Sequence, residues 1–89
     1  MRSKTTPAFW RHYRRLPPEI RHQVRLAYRQ WIVRPDLPGL RFKQVNAQDK
    51  IYSVRITDNY RVLGSRVDDT ITWYFVGTHD DYLREIAKR

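Results

Sequence analysis

Tyr52-Ser53-Val54-Arg55-Ile56 and, just beyond Asp58-Asn59, Tyr60-Arg61-Val62 read as two short strands joined by a tight turn. Tyr52, Val54 and Ile56 alternate with Ser53, Arg55 and Thr57, so one face of the first strand is apolar and the other carries a cation. An arginine in mid-sheet costs free energy unless something anionic meets it. Arg55 and Arg61 sit on consecutive antiparallel strands, which makes cross-strand neighbours of them a natural outcome. Further on, Gly77-Thr78-His79-Asp80-Asp81-Tyr82 adds an imidazole and a phenol. Two guanidinium groups, an imidazole and a phenol point to a phosphodiester site. The alternative is purely structural: each arginine paired with Asp58, Asp68 or Asp69, and His79 bonded to Asp80 or Asp81.

Outward from this stretch, a period of two covers Leu40 to Val45, Lys50 to Thr57, Tyr60 to Val67 and Thr70 to Gly77. The links between them are too short for parallel crossovers, so they predict a four-stranded antiparallel meander. Upstream the period becomes helical. Phe9, Tyr13 and Leu16 share a face of a short helix that opens at Pro7. Pro17-Pro18 interrupts it, and a second helix runs from Pro18 to about Val33, with Glu19 in its first turn. Its apolar stripe is Ile20, Val24, Ala27, Tyr28, Trp31 and Ile32, with Arg21, Arg25 and Arg29 on the opposite side. Asp80 to Lys88 is expected to form a short closing helix, and no strand is evident before Pro7. The expected fold is a single α+β domain over residues 1–89: an N-terminal helical hairpin on one face of the sheet, and a C-terminal helix.

The net charge is +9, which favours a polyanionic partner. Residues 1–35 hold nine Arg/Lys against one acid, Glu19, whereas residues 36–89 hold nine against eight. A cationic site in the second half therefore arises from placement, not from bulk charge. The chain has no cysteine, which removes disulfides and thiolate metal sites and fits a reducing compartment. No apolar run reaches the ~20 residues that span a bilayer, and no secretory signal is visible at the N-terminus, so the expected location is cytoplasmic.

The order of these elements, with Leu16-Pro17-Pro18-Glu19-Ile20, Arg41-Phe42-Lys43, Tyr52 to Ile56, Tyr60-Arg61-Val62 and Trp73 to His79 with Tyr82, resembles the RelE/ParE superfamily of bacterial type II toxin–antitoxin toxins, closest to its RelE-like and HigB-like branches. The resemblance implies a small ribonuclease that cuts mRNA in the ribosomal A site, without metal or other cofactor, and a cognate antitoxin as partner. It also implies roles: Arg55 and Arg61 bind and polarise the scissile phosphate, His79 transfers a proton, Tyr82 stacks on a base or aligns the attacking group, and Lys43 and Ser53 contact substrate. Some relatives use a sheet glutamate as base. This chain has no Glu between Glu19 and Glu85, which leaves the base open.

Arginine suits such a cradle because its fork matches two phosphate oxygens and it stays charged. The arginines of the helices, Arg21, Arg25 and Arg29 among them, exceed what solubility needs and are expected to meet rRNA phosphates. Trp10 and Trp31 read as helix–sheet packing residues, Trp73 and Phe75 as core residues of one strand face, and His12 and His22 as surface residues. Two other functions fit the same fold: a ParE-like toxin that inhibits DNA gyrase by contact, and a decayed RNA-binding module.

Overall fold

The structure, a computed structural model, describes residues 1–88. The chain runs β1 (Arg2–Thr5), α1 (Pro7–Arg14), α2 (Pro18–Val33), a 3-10 turn (Pro38–Leu40), β2 (Lys43–Asn46), β3 (Ile51–Thr57), β4 (Tyr60–Val67), β5 (Thr70–Thr78) and α3 (His79–Ala87). Thr6 starts α1 by accepting the Phe9 N–H on its hydroxyl at 3.2 Å, and Pro7 takes the first helical position. Pro18 opens α2 with Glu19 in its first turn, and the helix ends at Val33, one residue before the Arg34-Pro35 pair. Thr78 caps α3, accepting the Asp81 N–H at 3.2 Å.

The sheet has five strands in the order β1-β5-β4-β3-β2, not four. The pairs from β2 to β5 are antiparallel, as the short links require, but Arg2–Thr5 adds a parallel edge strand on β5, so the sheet is mixed. Backbone bonds hold that strand: Arg2 N–H donates to the Asp69 carbonyl at 2.8 Å and Thr6 N–H to the Trp73 carbonyl at 3.1 Å. Its side chains are largely solvated, so it carries no apolar period. The polypeptide from α1 to β4 supplies the long crossover that a parallel pair needs. Leu40 lies in the 3-10 turn instead of a strand, and β2 begins at Lys43.

Two apolar clusters sandwich the sheet. Phe9, Leu16, Val24, Ala27, Trp31 and Leu40 pack on Val54, Val62, Ile71, Trp73 and Val76 on the hairpin side. Ile51, Leu63, Phe75 and Tyr82, with Ile86 of α3, form the cluster on the other side. Trp73 and Phe75 are both buried but belong to different clusters. The pairing of β4 with β5 slips between Leu63 and Gly64, so Tyr74 is an extra residue that reverses the alternation.

Three expected packing residues lie outside the core. Trp10 is 41% exposed and hydrogen-bonds through its indole N–H to Thr5 Oγ1 at 3.0 Å. Tyr28 and Ile32 are also exposed, because the buried stripe of α2 narrows to Val24, Ala27 and Trp31. His12 is not a free surface residue. Its ring lies 4.9 Å from that of Phe75, and burial is the main effect lowering its pKa, with Glu85 opposing.

Candidate functional site

Val54, Val62 and Val76 point into the hairpin-side core, so the residues that alternate with them face away from it. Two rungs of paired residues cross that face. Ser53, Leu63 and Phe75 form one; Arg55, Arg61 and Gly77 form the next. Gly77 has no room for a side chain: a Cβ there would lie 2.7 Å from Phe75 Cζ. The second rung therefore presents two guanidinium groups beside bare backbone.

Arg61 is anchored. Its Nη1 donates to the carbonyls of Thr57, Asp58 and Tyr60 at 2.6, 3.2 and 3.0 Å. Burial first, then the charge of Arg55, lowers its pKa from the ordinary arginine value, though a guanidinium stays charged. The shift marks a place where positive charge is crowded and partly desolvated, conditions that an arriving anion relieves. Arg55 forms an ion pair with Asp58 on the turn. Asp58 is almost wholly solvated, at 96% side-chain exposure, so the bond is weak and exchangeable.

His79 begins α3, and its backbone N–H donates to the Asn59 carbonyl at 2.7 Å. The backbone of His79 thus stands beside the turn that Arg61 clamps. No hydrogen bond joins its ring to Asp80 or Asp81; its ring neighbour is Tyr82, with centroids 5.5 Å apart. Tyr82 is also among the groups that act electrostatically on Arg61. Arg55, Arg61 and the backbone of His79 accordingly lie around the Thr57–Tyr60 turn.

Two expected contacts are corrected. Tyr82 is 7% exposed and packed against Ile51, Leu63 and Phe75, so its ring has no open face on which a base could stack. It supports His79 and α3 instead. Ser53 is 2% exposed, beneath the level a substrate reaches. Lys43, paired with Ser53 at the edge of the sheet, is exposed. The helix arginines differ among themselves: Arg21 reaches the Arg14 carbonyl at 3.5 Å and Arg25 donates to the Tyr13 hydroxyl, so both tie α2 to α1, while Arg29 is exposed. Sequence reasoning also missed a cavity of about 550 Å³ between α1, α2 and the sheet. Val54, Ile56, Val62 and Trp73 floor it, and Lys4, Arg25 and Arg29 also line it. The indole N–H groups of Trp31 and Trp73, which line it, have no acceptor. Among the described residues no group of three His, Asp or Glu is disposed to hold a metal ion, and no helix is long and apolar enough to cross a membrane.

A family model described as the ParE-like toxin domain matches residues 18–84. Solved structures share the fold at low identity. The RelB–RelE antitoxin–toxin complex from Methanococcus jannaschii is 19% identical, covering 92% of this chain and 96% of that one, with a TM-score of 0.73. YafQ from Escherichia coli is 10% identical over 92% and 98% of the two chains, with a TM-score of 0.70. The RelBE2 toxin–antitoxin complex from Mycobacterium tuberculosis is 24% identical over 88% and 96%, with a TM-score of 0.67. No curated protein is a significant match.

Proposed function

Because the chain belongs to the ParE-like toxin family, within the RelE/ParE superfamily of bacterial type II toxin–antitoxin toxins, we propose that it is a cytoplasmic endoribonuclease that cuts mRNA on the ribosome and so halts translation. The observation that carries this reading is the direct pairing of Arg55 with Arg61 on the face away from the hairpin, with His79 two residues beyond Gly77 of the same rung. Metal-independent cleavage of RNA needs a 2′-hydroxyl to attack phosphorus, cations for the phosphorane that forms, and a proton for the departing 5′-oxygen. Arg55 exchanges Asp58 for a phosphate oxygen, and Arg61, already immobilised, stabilises the added negative charge. His79 is the candidate for the proton transfer. The arginines of α1 and α2 meet rRNA, with Arg29 and the solvated part of Arg21 and Arg25 as the docking charge.

The partner in this reading is a cognate antitoxin. The cavity between α1, α2 and the sheet, apolar in its floor and lined also by Lys4, Arg25 and Arg29, suits an amphipathic segment with acidic flanks. Such a segment would be disordered until bound.

The test is in vitro translation with and without the protein, followed by 5′-end mapping of the message. Cuts at A-site codons support the reading; intact message sinks it. One observation favours a second reading: the matching family model is the ParE-like one. A gyrase supercoiling assay distinguishes it, since inhibition without message cleavage identifies a contact inhibitor with no nuclease chemistry.

A further inference from the structure

Among the described residues, Arg41 is the one outside the hairpin turns that holds a left-handed backbone, at φ 45° and ψ 44°. The other two non-glycine residues with positive φ, Lys50 and Asp68, lie in the β2–β3 and β4–β5 turns, where that conformation reverses the chain. Arg41 instead ends the 3-10 turn, its N–H donating to the Pro38 carbonyl at 3.2 Å. Asn or Gly would hold such a position with less strain, yet an arginine occupies it. A strained arginine directs attention to its side chain.

Its place beside the sheet supplies the reason. Lys43 pairs with Ser53 and Gln44 with Tyr52. The chain before Lys43 runs toward the Arg55 end of β3, and Arg41 lies two residues before β2, outside it. Arg55 in turn pairs with Arg61. Arg41 therefore stands at the sheet edge, toward the end of β3 that carries the Arg55–Arg61 pair. The charge of Arg41 acts on Arg61 as well, on the side of lowering its pKa, and the carboxylate that opposes them is Asp58. Among the described residues the Arg41 guanidinium makes no hydrogen bond and no ion pair, and it is solvated. Of the three it is the one with no side-chain partner: Nη1 of Arg61 is held by carbonyls and Arg55 by Asp58.

We propose that Arg41 is a third substrate-binding arginine, which grips a phosphate flanking the one held by Arg55 and Arg61, and so orients a single-stranded polynucleotide along the line from β4 to β2. This rests on the RNA reading of the site. From β4 to the sheet edge beside Arg41 is two strand spacings, ~10 Å, which is more than one phosphate occupies and suits successive phosphates of an extended strand. Arg41 acts on binding and register, and Arg55 and Arg61 act on the reacting phosphate.

The experiment uses Arg41→Gly, because glycine accepts the left-handed backbone and removes the side chain without adding strain. Binding of a short 2′-O-methyl oligoribonucleotide, which has no nucleophile and is not cut, is followed by fluorescence anisotropy across a salt series. Arg41→Gly is expected to bind roughly fivefold more weakly near 0.1 M salt and to lower the slope of log affinity against log salt by about 0.7. Arg41→Lys is expected to recover most of the slope. Equal affinity and slope for Arg41→Gly and the parent overturn the proposal, as does a parent that does not bind the oligonucleotide. Message mapping on ribosomes separates the two levels. A parent that cuts A-site message but shows no Arg41 effect retains the function and loses this inference. A parent that binds RNA through Arg41 but never cuts retains the inference and loses the function.

Discussion

Arg61 and His79 hold one turn from its two sides. The guanidinium of Arg61 takes the carbonyls of Thr57, Asp58 and Tyr60, and the backbone N–H of His79 takes the carbonyl of Asn59 at 2.7 Å. Every carbonyl of the β3–β4 turn thereby accepts from a residue of the candidate site. The loop that carries Asp58 to Arg55 is therefore positioned by the same groups that surround the reacting phosphate in the proposed chemistry.

Arg61→Ala should lower stability by about 2 kcal/mol, since three carbonyls lose a charged donor. Ribosome-dependent cleavage should fall by roughly two orders of magnitude, the usual effect of removing one transition-state donor. Arg61→Lys should rescue little, because a point charge cannot reproduce the fork. Urea unfolding and message mapping on the same preparations measure both. A lysine variant with full activity would count against the cradle.

Asp58→Asn keeps the carbonyl that Arg61 uses and removes the charge that occupies Arg55. The loss in stability should stay below about 1 kcal/mol, as for other solvated ion pairs. RNA affinity should rise, and Arg55→Ala should abolish the gain. Weaker binding by Asp58→Asn would show that the aspartate supports the site instead of shielding it.

His79→Gln retains the backbone bond to Asn59 and so should leave the melting temperature within a few degrees of the parent. If the imidazole moves the proton, the cleavage rate should drop about 10²- to 10⁴-fold. A rate unchanged in the glutamine variant removes His79 from the chemistry and leaves it as an anchor of the turn.

His12 gives a stability signature of its own. Burial against Phe75 lowers its folded-state pKa below that of the unfolded chain, so the unfolded state binds more protons in between. Its contribution is present above the unfolded value of about 6.5 and is lost as pH falls through the folded one. The urea midpoint should therefore decline on acidification from neutral pH, and His12→Phe should flatten that part of the profile. An equal slope in the two proteins would locate the pH dependence in other groups.

Gly77→Ala places a methyl group 2.7 Å from Phe75 Cζ, at the end of the Arg55–Arg61 rung. The ring must move within a filled cluster, at a cost of about 1–3 kcal/mol. Thermal unfolding checks this, and a neutral alanine variant would mean that the α3-side core is looser than its burial implies.

Side-chain chemistry that repeats along the chain is legible in the sequence alone. Alternation in β3, β4 and β5, the proline and threonine starts of the helices, and the near-equal numbers of acids and bases after residue 35 are local facts, and they predict the helical hairpin, the antiparallel pairs and the meeting of Arg55 with Arg61. β1 leaves no such trace, because an edge strand is held by backbone bonds, which every residue makes, and its side chains need no apolar period. The extra residue at Tyr74 is hidden for a related reason: it leaves the composition of β5 unchanged and alters only its register with β4. Burial decides the rest. Tyr82 and Ser53 carry the right groups for a substrate, but both are buried, and Trp10, an expected core residue, is left outside. Pattern specifies which elements form and which face each prefers. Which polar groups remain open to a polynucleotide depends on how three helices and five strands close over one another, and that is a property of packing between segments distant in the chain.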